Sequence, residues 1–211
     1  MPESYTDSPL LTADFDRALL LATSHHRRQL RKGGSGTPYV AHLLAVTSLV
    51  LEMGGSQTEA IGALLHDAVE DRGGPQMLEK IRREFGDDVA RIVKANSDTD
   101  EEPKPPWPER KQAYIAAIAT KKPDELRVSL ADKLHNARAI LLDFRTVGDE
   151  LWSRFKPREG EPVRRYYREL HVAFTARADD MGPNTRPLLE ELGRTLDELD
   201  RLAGSDLTCR N

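Results

Sequence analysis

The sequence has a single cysteine, Cys209, near its C-terminal end, so an intramolecular disulfide and a cysteine-rich zinc site are both excluded. It has no surplus of positive charge. Lysine and arginine total 31 against 35 aspartate and glutamate, a net charge of −4, which gives no general attraction to nucleic acid or to an anionic membrane. Long apolar runs are also missing. The most apolar stretch, Leu43 to Met53, is interrupted and too short to span a bilayer, and no basic segment leads into an apolar one at the N-terminus. Neither secretion nor membrane insertion is expected, and a reducing cytoplasm suits such a chain.

What is present describes a folded domain. The 211 residues, 38% hydrophobic and 31% charged, are enough for one core but few for two independent domains. Apolar positions recur at helical spacing nearly throughout, with no convincing alternating strand and no internal repeat. Phe15, Leu19, Leu20, Ala22 and Leu30 predict a helix over 12–32, ending in the basic group Arg27, Arg28, Arg31 and Lys32 and stopped by glycines. A second helix is predicted over 40–53, closed by Gly54 and Gly55. A third follows the capping-box pair Ser56 and Glu59 and runs through Val69. Two short helices break near Gly86. Four prolines and four acidic residues between Ser97 and Pro108 predict a loop that can act as a lid. Helices resume over 109–121 and 124–144, again around Val163 to Phe174, and finally over 185–202. The fold class is all-α, a bundle of 8–10 helices.

The chemistry concentrates in His66-Asp67-Ala68-Val69-Glu70-Asp71. Neighbouring helical positions differ by about 100°, so His66 and Asp67 can lean toward one ion with Glu70 on the same flank. His42 and Asp132 each interrupt an apolar helical stretch, where an unpaired polar group is costly. Taken singly, His42 reads as an interior or surface histidine and Asp132 as an ion-pair partner; the conjunction of the four points to a metal. Two imidazoles and two carboxylates suit manganese, iron, cobalt or zinc better than a soft ion. Glu70 then stands as the general base or water-orienting group, Asp71 as its assistant, and Asn136 shares the Asp132 face.

These segments resemble the hydrolase domain of RelA/SpoT-type proteins, and especially the stand-alone small alarmone hydrolases of the HD superfamily. The resemblance rests on Arg27-Arg28-Gln29 with Arg31-Lys32, Gly36-Thr37-Pro38-Tyr39 leading to His42, Ala63-Leu64-Leu65-His66-Asp67 running into Glu70-Asp71, and Leu130-Ala131-Asp132-Lys133-Leu134 followed by Asn136. It implies an HD-domain bundle over about 10–180, with 181–211 as a helical extension and tail. It also implies manganese-dependent hydrolysis of the 3′-pyrophosphate of ppGpp or pppGpp, the alarmones of the stringent response. His42, His66, Asp67 and Asp132 are the implied ligands, with Glu70 and Asp71 acting on water. Arg31, Lys32 and Thr37 are placed around the nucleotide, Tyr39 and Asn136 close by, and Tyr166 near the ribose and phosphates.

The pattern departs from that family at Leu43, where proline is common, at Arg72, where threonine is common, and in the loop containing Trp107. These departures bear on substrate choice. A phosphohydrolase acting on another nucleotide, such as NADPH at its 2′-phosphate, and a non-catalytic nucleotide sensor remain the alternatives. Lys133 fits either a phosphate contact or a solvent-facing side chain. The oligomeric state stays open, because the C-terminal apolar stripes suit either a partner or the monomer core.

Overall fold

The computed structural model describes residues 6, 8–32, 36–97, 103–156 and 158–205, and at 71, 72 and 205 the backbone only. Among them the chain forms nine α-helices and no sheet: α1 (Ala13–His25), α2 (Val40–Glu52), α3 (Gln57–Leu65), α4 (Gly74–Phe85), α5 (Asp87–Asn96), α6 (Trp107–Ile118), α7 (Pro123–Val147), α8 (Gly160–Thr175) and α9 (Arg186–Ser205). The all-α expectation therefore holds. No described helix is long and apolar enough to cross a membrane.

Local signals account for most boundaries. Ser56 and Glu59 form the anticipated reciprocal cap of α3, satisfying two backbone donors that a helix start leaves open. Gly54 ends α2 at φ +78°, a conformation that costs glycine little. The α6 helix begins at Trp107 rather than Glu109, because Pro108 in its first turn gives up a backbone donor that has no partner there. Of the acidic and proline-rich stretch expected to form a lid, residues 98–102 lie outside the described part.

Two predicted helices end early, and both differences shape the site. The first stops at His25 instead of continuing to Lys32. Beyond it the chain folds back: the Arg31 amide donates to the Thr37 carbonyl at 2.9 Å, and the Tyr39 amide to the Gln29 carbonyl at 2.8 Å. Leu30 thus pairs with Pro38 in an isolated antiparallel bridge. The third helix stops at Leu65, and Val69–Gly73 forms a single π-helical turn, an irregularity common where side chains must be re-aimed.

The long α7 is the spine, packed against α2, α3, α5, α8 and α9. Leu126, Leu130, Leu134 and Phe144 on α7 pack with Leu170 and Phe174 of α8 and with Leu192, Leu196 and Leu199 of α9 in one core. The C-terminal apolar stripe is thereby used inside the monomer. A second core gathers Ala18, Ala22, Leu43, Leu64, Leu65, Ile81 and Val93 from α1 to α5. At Gly62 a Cβ would sit 2.6 Å from the Ile92 side chain, so glycine lets α3 and α5 approach closely. The helix α2 joins the cores, sending Leu43 into the second and Val46 into the first. His42 stands at that seam.

One ion pair ties α3 to the spine. The Glu59 carboxylate is buried and accepts from Arg127 Nε, while Arg127 Nη1 donates to the Met181 carbonyl at 2.9 Å. Arg127→Met leaves that carboxylate without its counter-charge, a change that costs about 3 kcal/mol. In a domain of this size the midpoint of thermal unfolding should fall by about 6–12 °C. A drop under about 2 °C in a melting experiment would show the pair to be energetically idle.

Candidate metal centre

Three separate stretches of chain deliver the four expected ligands to one place. His42 comes from the first turn of α2, His66 and Asp67 from the break after α3, and Asp132 from the middle of α7. His42 Nε2 lies 3.5 Å from Asp67 Oδ2 and 3.2 Å from Asp132 Oδ1. His66 Nε2 lies 3.0 Å and 3.7 Å from the same two oxygens. Two donors bound at right angles to an ion at about 2.1 Å are about 3 Å apart, so these spacings match the edges of a coordination shell. His42, His66 and Asp67 together form a cluster capable of coordinating a divalent ion.

Hydrogen bonding fixes which nitrogen of His66 faces the cluster. Its Nδ1–H donates to the Ala63 carbonyl at 2.8 Å, leaving Nε2 to face the two carboxylates. That Nε2 is buried and has no hydrogen-bond partner among the described residues. A cation would satisfy it. Electrostatics favour positive charge at this nitrogen: burial opposes it, yet Asp67 and Asp132 raise the His66 pKa well above the ordinary value. Burial likewise opposes ionisation of the two carboxylates. The adjacent His66 holds Asp67 well below its usual range, and Lys133, then His42 and His66, hold Asp132 there. The carboxylates thus stay charged around a position that calls for positive charge.

A set of neighbours locks these side chains. Tyr39 Oη donates to Asp67 Oδ2. His42 Nδ1 and His135 Nδ1 share a hydrogen at 2.8 Å. Burial, His42 and Arg31 push the His135 imidazole down to about 4, so the ring is neutral near pH 7 and fit to accept. Asn136 Nδ2 donates to Asp132 Oδ1 while its Oδ1 accepts from Arg31 Nη2 at 2.7 Å, bridging Asp132 to the basic loop. Lys133 does not face solvent. Its half-buried ammonium lies 2.6 Å from Asp132 Oδ2 and 4.4 Å from the Tyr114 ring centroid.

These groups open onto one cavity of about 300 Å³, lined by His42, Asp67, Glu70, Asp132, Lys133 and Asn136 together with Arg31, Lys32 and Tyr39. Glu70 stands 3.3 Å from Lys104 Nζ. Lys111, near Glu70 and Lys133, is pushed down to about 8 by burial and by Lys133 and Arg110. A cationic flank therefore adjoins the acidic cluster. Two expected substrate positions are absent from this lining. Thr37 supplies its carbonyl to the chain reversal, and Tyr166 packs edge-on to Trp107 with its ring 5.4 Å from Lys111 Nζ. The neighbouring Tyr167 lines the cavity instead. The Asp71 and Arg72 side chains lie outside the described part.

Sequence reasoning missed His135, although it sits one helical turn from Asp132, a spacing that would have flagged it. It also missed Asp143, Leu151, Arg154 and Phe155 in the cavity wall, which carry no pattern of their own.

Comparison with known proteins agrees with this geometry. The family profile described as HD domain matches residues 18–160. The guanosine-3′,5′-bis(diphosphate) 3′-pyrophosphohydrolase MESH1 of Homo sapiens is 34% identical over 140 residues, 65% of this chain and 73% of that protein. The GTP pyrophosphokinase of Streptomyces coelicolor is 40% identical over 130 residues, 59% of this chain but only 14% of that much longer protein. In structure, the chain is similar to a metazoan orthologue of SpoT that hydrolyses ppGpp, with a TM-score of 0.69, 24% identity, and coverage of 91% of this chain and 97% of the other.

Proposed function

This chain belongs to the HD domain family, related to the SpoT- and MESH1-like hydrolases, and from that premise we propose that it hydrolyses guanosine 3′,5′-bis(diphosphate) or its 5′-triphosphate counterpart to GDP or GTP and pyrophosphate, using manganese. The observation that carries the proposal is the convergence of His42, His66, Asp67 and Asp132 in the same cavity as Glu70 and a group of cationic side chains.

In this reading those four residues would hold the divalent ion, which would lower the pKa of water and offset charge on the phosphoryl oxygens. Glu70 takes a proton from the attacking water. The water oxygen bonds to the phosphorus attached at O3′, the P–O3′ bond breaks, and the 3′ oxygen regains a proton as pyrophosphate leaves. Arg31, Lys32 and Lys133 neutralise phosphate charge, with Arg31 able to grip it in a fork. Asn136 holds Asp132 and Arg31 in register. Tyr39 steadies Asp67, and Asp71 assists Glu70.

The test is direct. Purified protein with manganese and ppGpp should yield GDP and pyrophosphate in equal amounts on anion-exchange chromatography. Chelation should abolish turnover, and excess manganese should restore it. Absence of GDP would reject the proposal, and preferred release of phosphate from NADPH would replace its substrate.

A further inference from the structure

The cavity continues well past the metal centre, and its far end has a different character. Asp132, Asn136, Ala139, Ile140 and Asp143 lie along one stripe of the unbroken helix α7. At about 1.5 Å per residue the stripe carries the wall about 16 Å from the ligand Asp132 to Asp143. Over that distance the lining turns from charged to apolar, through Ile140, Leu151 and Phe155. At that end, at the protein surface, lies an ion pair in which Arg154 Nη1 is 3.2 Å from Asp143 Oδ2. An apolar slot ending in a few polar groups is how a flat heterocycle is held and oriented.

We propose that Asp143 and Arg154 form a base-recognition subsite selective for guanine, an assignment that rests on the nucleotide reading above. Guanine presents adjacent N–H donors at N1 and N2, which one carboxylate accepts together, and acceptors at O6 and N7, which suit a guanidinium fork. Adenine offers an acceptor at N1 and a donor at N6, so Asp143 would face a lone pair. As a mere surface pair the two side chains would contribute about 0–1 kcal/mol to stability. Their position in the wall of the same cavity as the metal ligands gives them a second use. With a purine in the slot, Ile140, Leu151 and Phe155 face its ring, and the phosphates extend along α7 toward Arg31 and Lys133.

The experiment compares steady-state hydrolysis of ppGpp with that of its adenosine counterpart by the wild-type protein, Asp143→Asn and Arg154→Gln. Loss of a charge-assisted contact predicts a fall of about 10- to 100-fold in kcat/KM for the guanine substrate with Asp143→Asn, carried by KM rather than kcat. Turnover of the adenosine substrate should hold or rise, because an asparagine offers both a donor and an acceptor. Arg154→Gln should lower the guanine preference in the same direction. A purely structural pair would shift the melting temperature and weaken both substrates alike, and an unchanged guanine-to-adenine ratio in both variants would overturn the subsite while leaving the hydrolase reading in place. Failure of wild-type protein to turn over either nucleotide would overturn both.

Discussion

Glu70→Gln is expected to lower kcat about 10²- to 10⁴-fold, the usual contribution of a positioned proton acceptor, while leaving metal affinity within about threefold of the wild type. The separation of these two readouts is the point. Glu70 lines the cavity beside Asp67 and Asp132, but the donor cluster is made by His42, His66 and Asp67 without it. Glutamine keeps the shape and loses the basicity. Stability should scarcely move, since its ion-pair partner Lys104 is solvent-accessible and surface pairs contribute little. Isothermal titration with manganese and single-turnover hydrolysis of ppGpp on the same preparation measure both quantities. A parallel collapse of affinity and rate would make Glu70 a ligand instead of a base, and an unchanged rate would pass the base's role to another group.

Helical class was legible because it is repeated at every turn. Apolar residues at three- and four-residue intervals mark α2, α5, α8 and α9 before any packing is known. The Ser56 and Glu59 cap was legible because it is local. The candidate metal residues stood out for a related reason: His42 and Asp132 sit where the surrounding pattern demands apolar side chains. Less visible was how the helices stop. The pattern around Leu64, Leu65 and Val69 continues at helical spacing through His66 and Asp67, whereas the backbone ends α3 at Leu65 and widens into a π-helical turn. Tertiary demand overrides propensity at that point, because the imidazole and carboxylate must both reach the seam between the cores.

The basic loop shows the same failure from a different cause. Arg27 to Lys32 looks like a charged helix end, but two backbone hydrogen bonds between 29–31 and 37–39 turn the chain back and place Arg31 beside Asn136. A bridge of one residue pair has no periodicity to detect. The same holds for the far wall of the cavity, where Leu151, Arg154 and Phe155 come from the short 3₁₀ turn after α7 and its exit. Their proximity to Asp143 exists only once α7 has packed.

Asp132→Asn should abolish turnover and raise the manganese dissociation constant by at least about 100-fold, in the range expected when an ion-binding charge is removed. Three features of the structure make this residue more consequential than its position in one helix suggests. Its Oδ1 lies 3.2 Å and 3.7 Å from the two imidazole Nε2 atoms, so it contributes to the site from the side opposite the α3 break. Its Oδ2 is the 2.6 Å partner of the half-buried Lys133 ammonium, which asparagine leaves without a counter-charge. And its Oδ1 accepts from Asn136, the residue that also holds Arg31. In wild-type protein, metal at a thousandfold excess over its dissociation constant should stabilise the fold by about 4 kcal/mol, giving a melting temperature that rises with manganese. Asp132→Asn should lose that rise, and its metal-free form should melt a few degrees lower because Lys133 is unpaired. If the variant still shows the full manganese-dependent rise, Asp132 serves Lys133 and the helix rather than the ion, and the four-ligand arrangement reduces to the His42, His66 and Asp67 cluster.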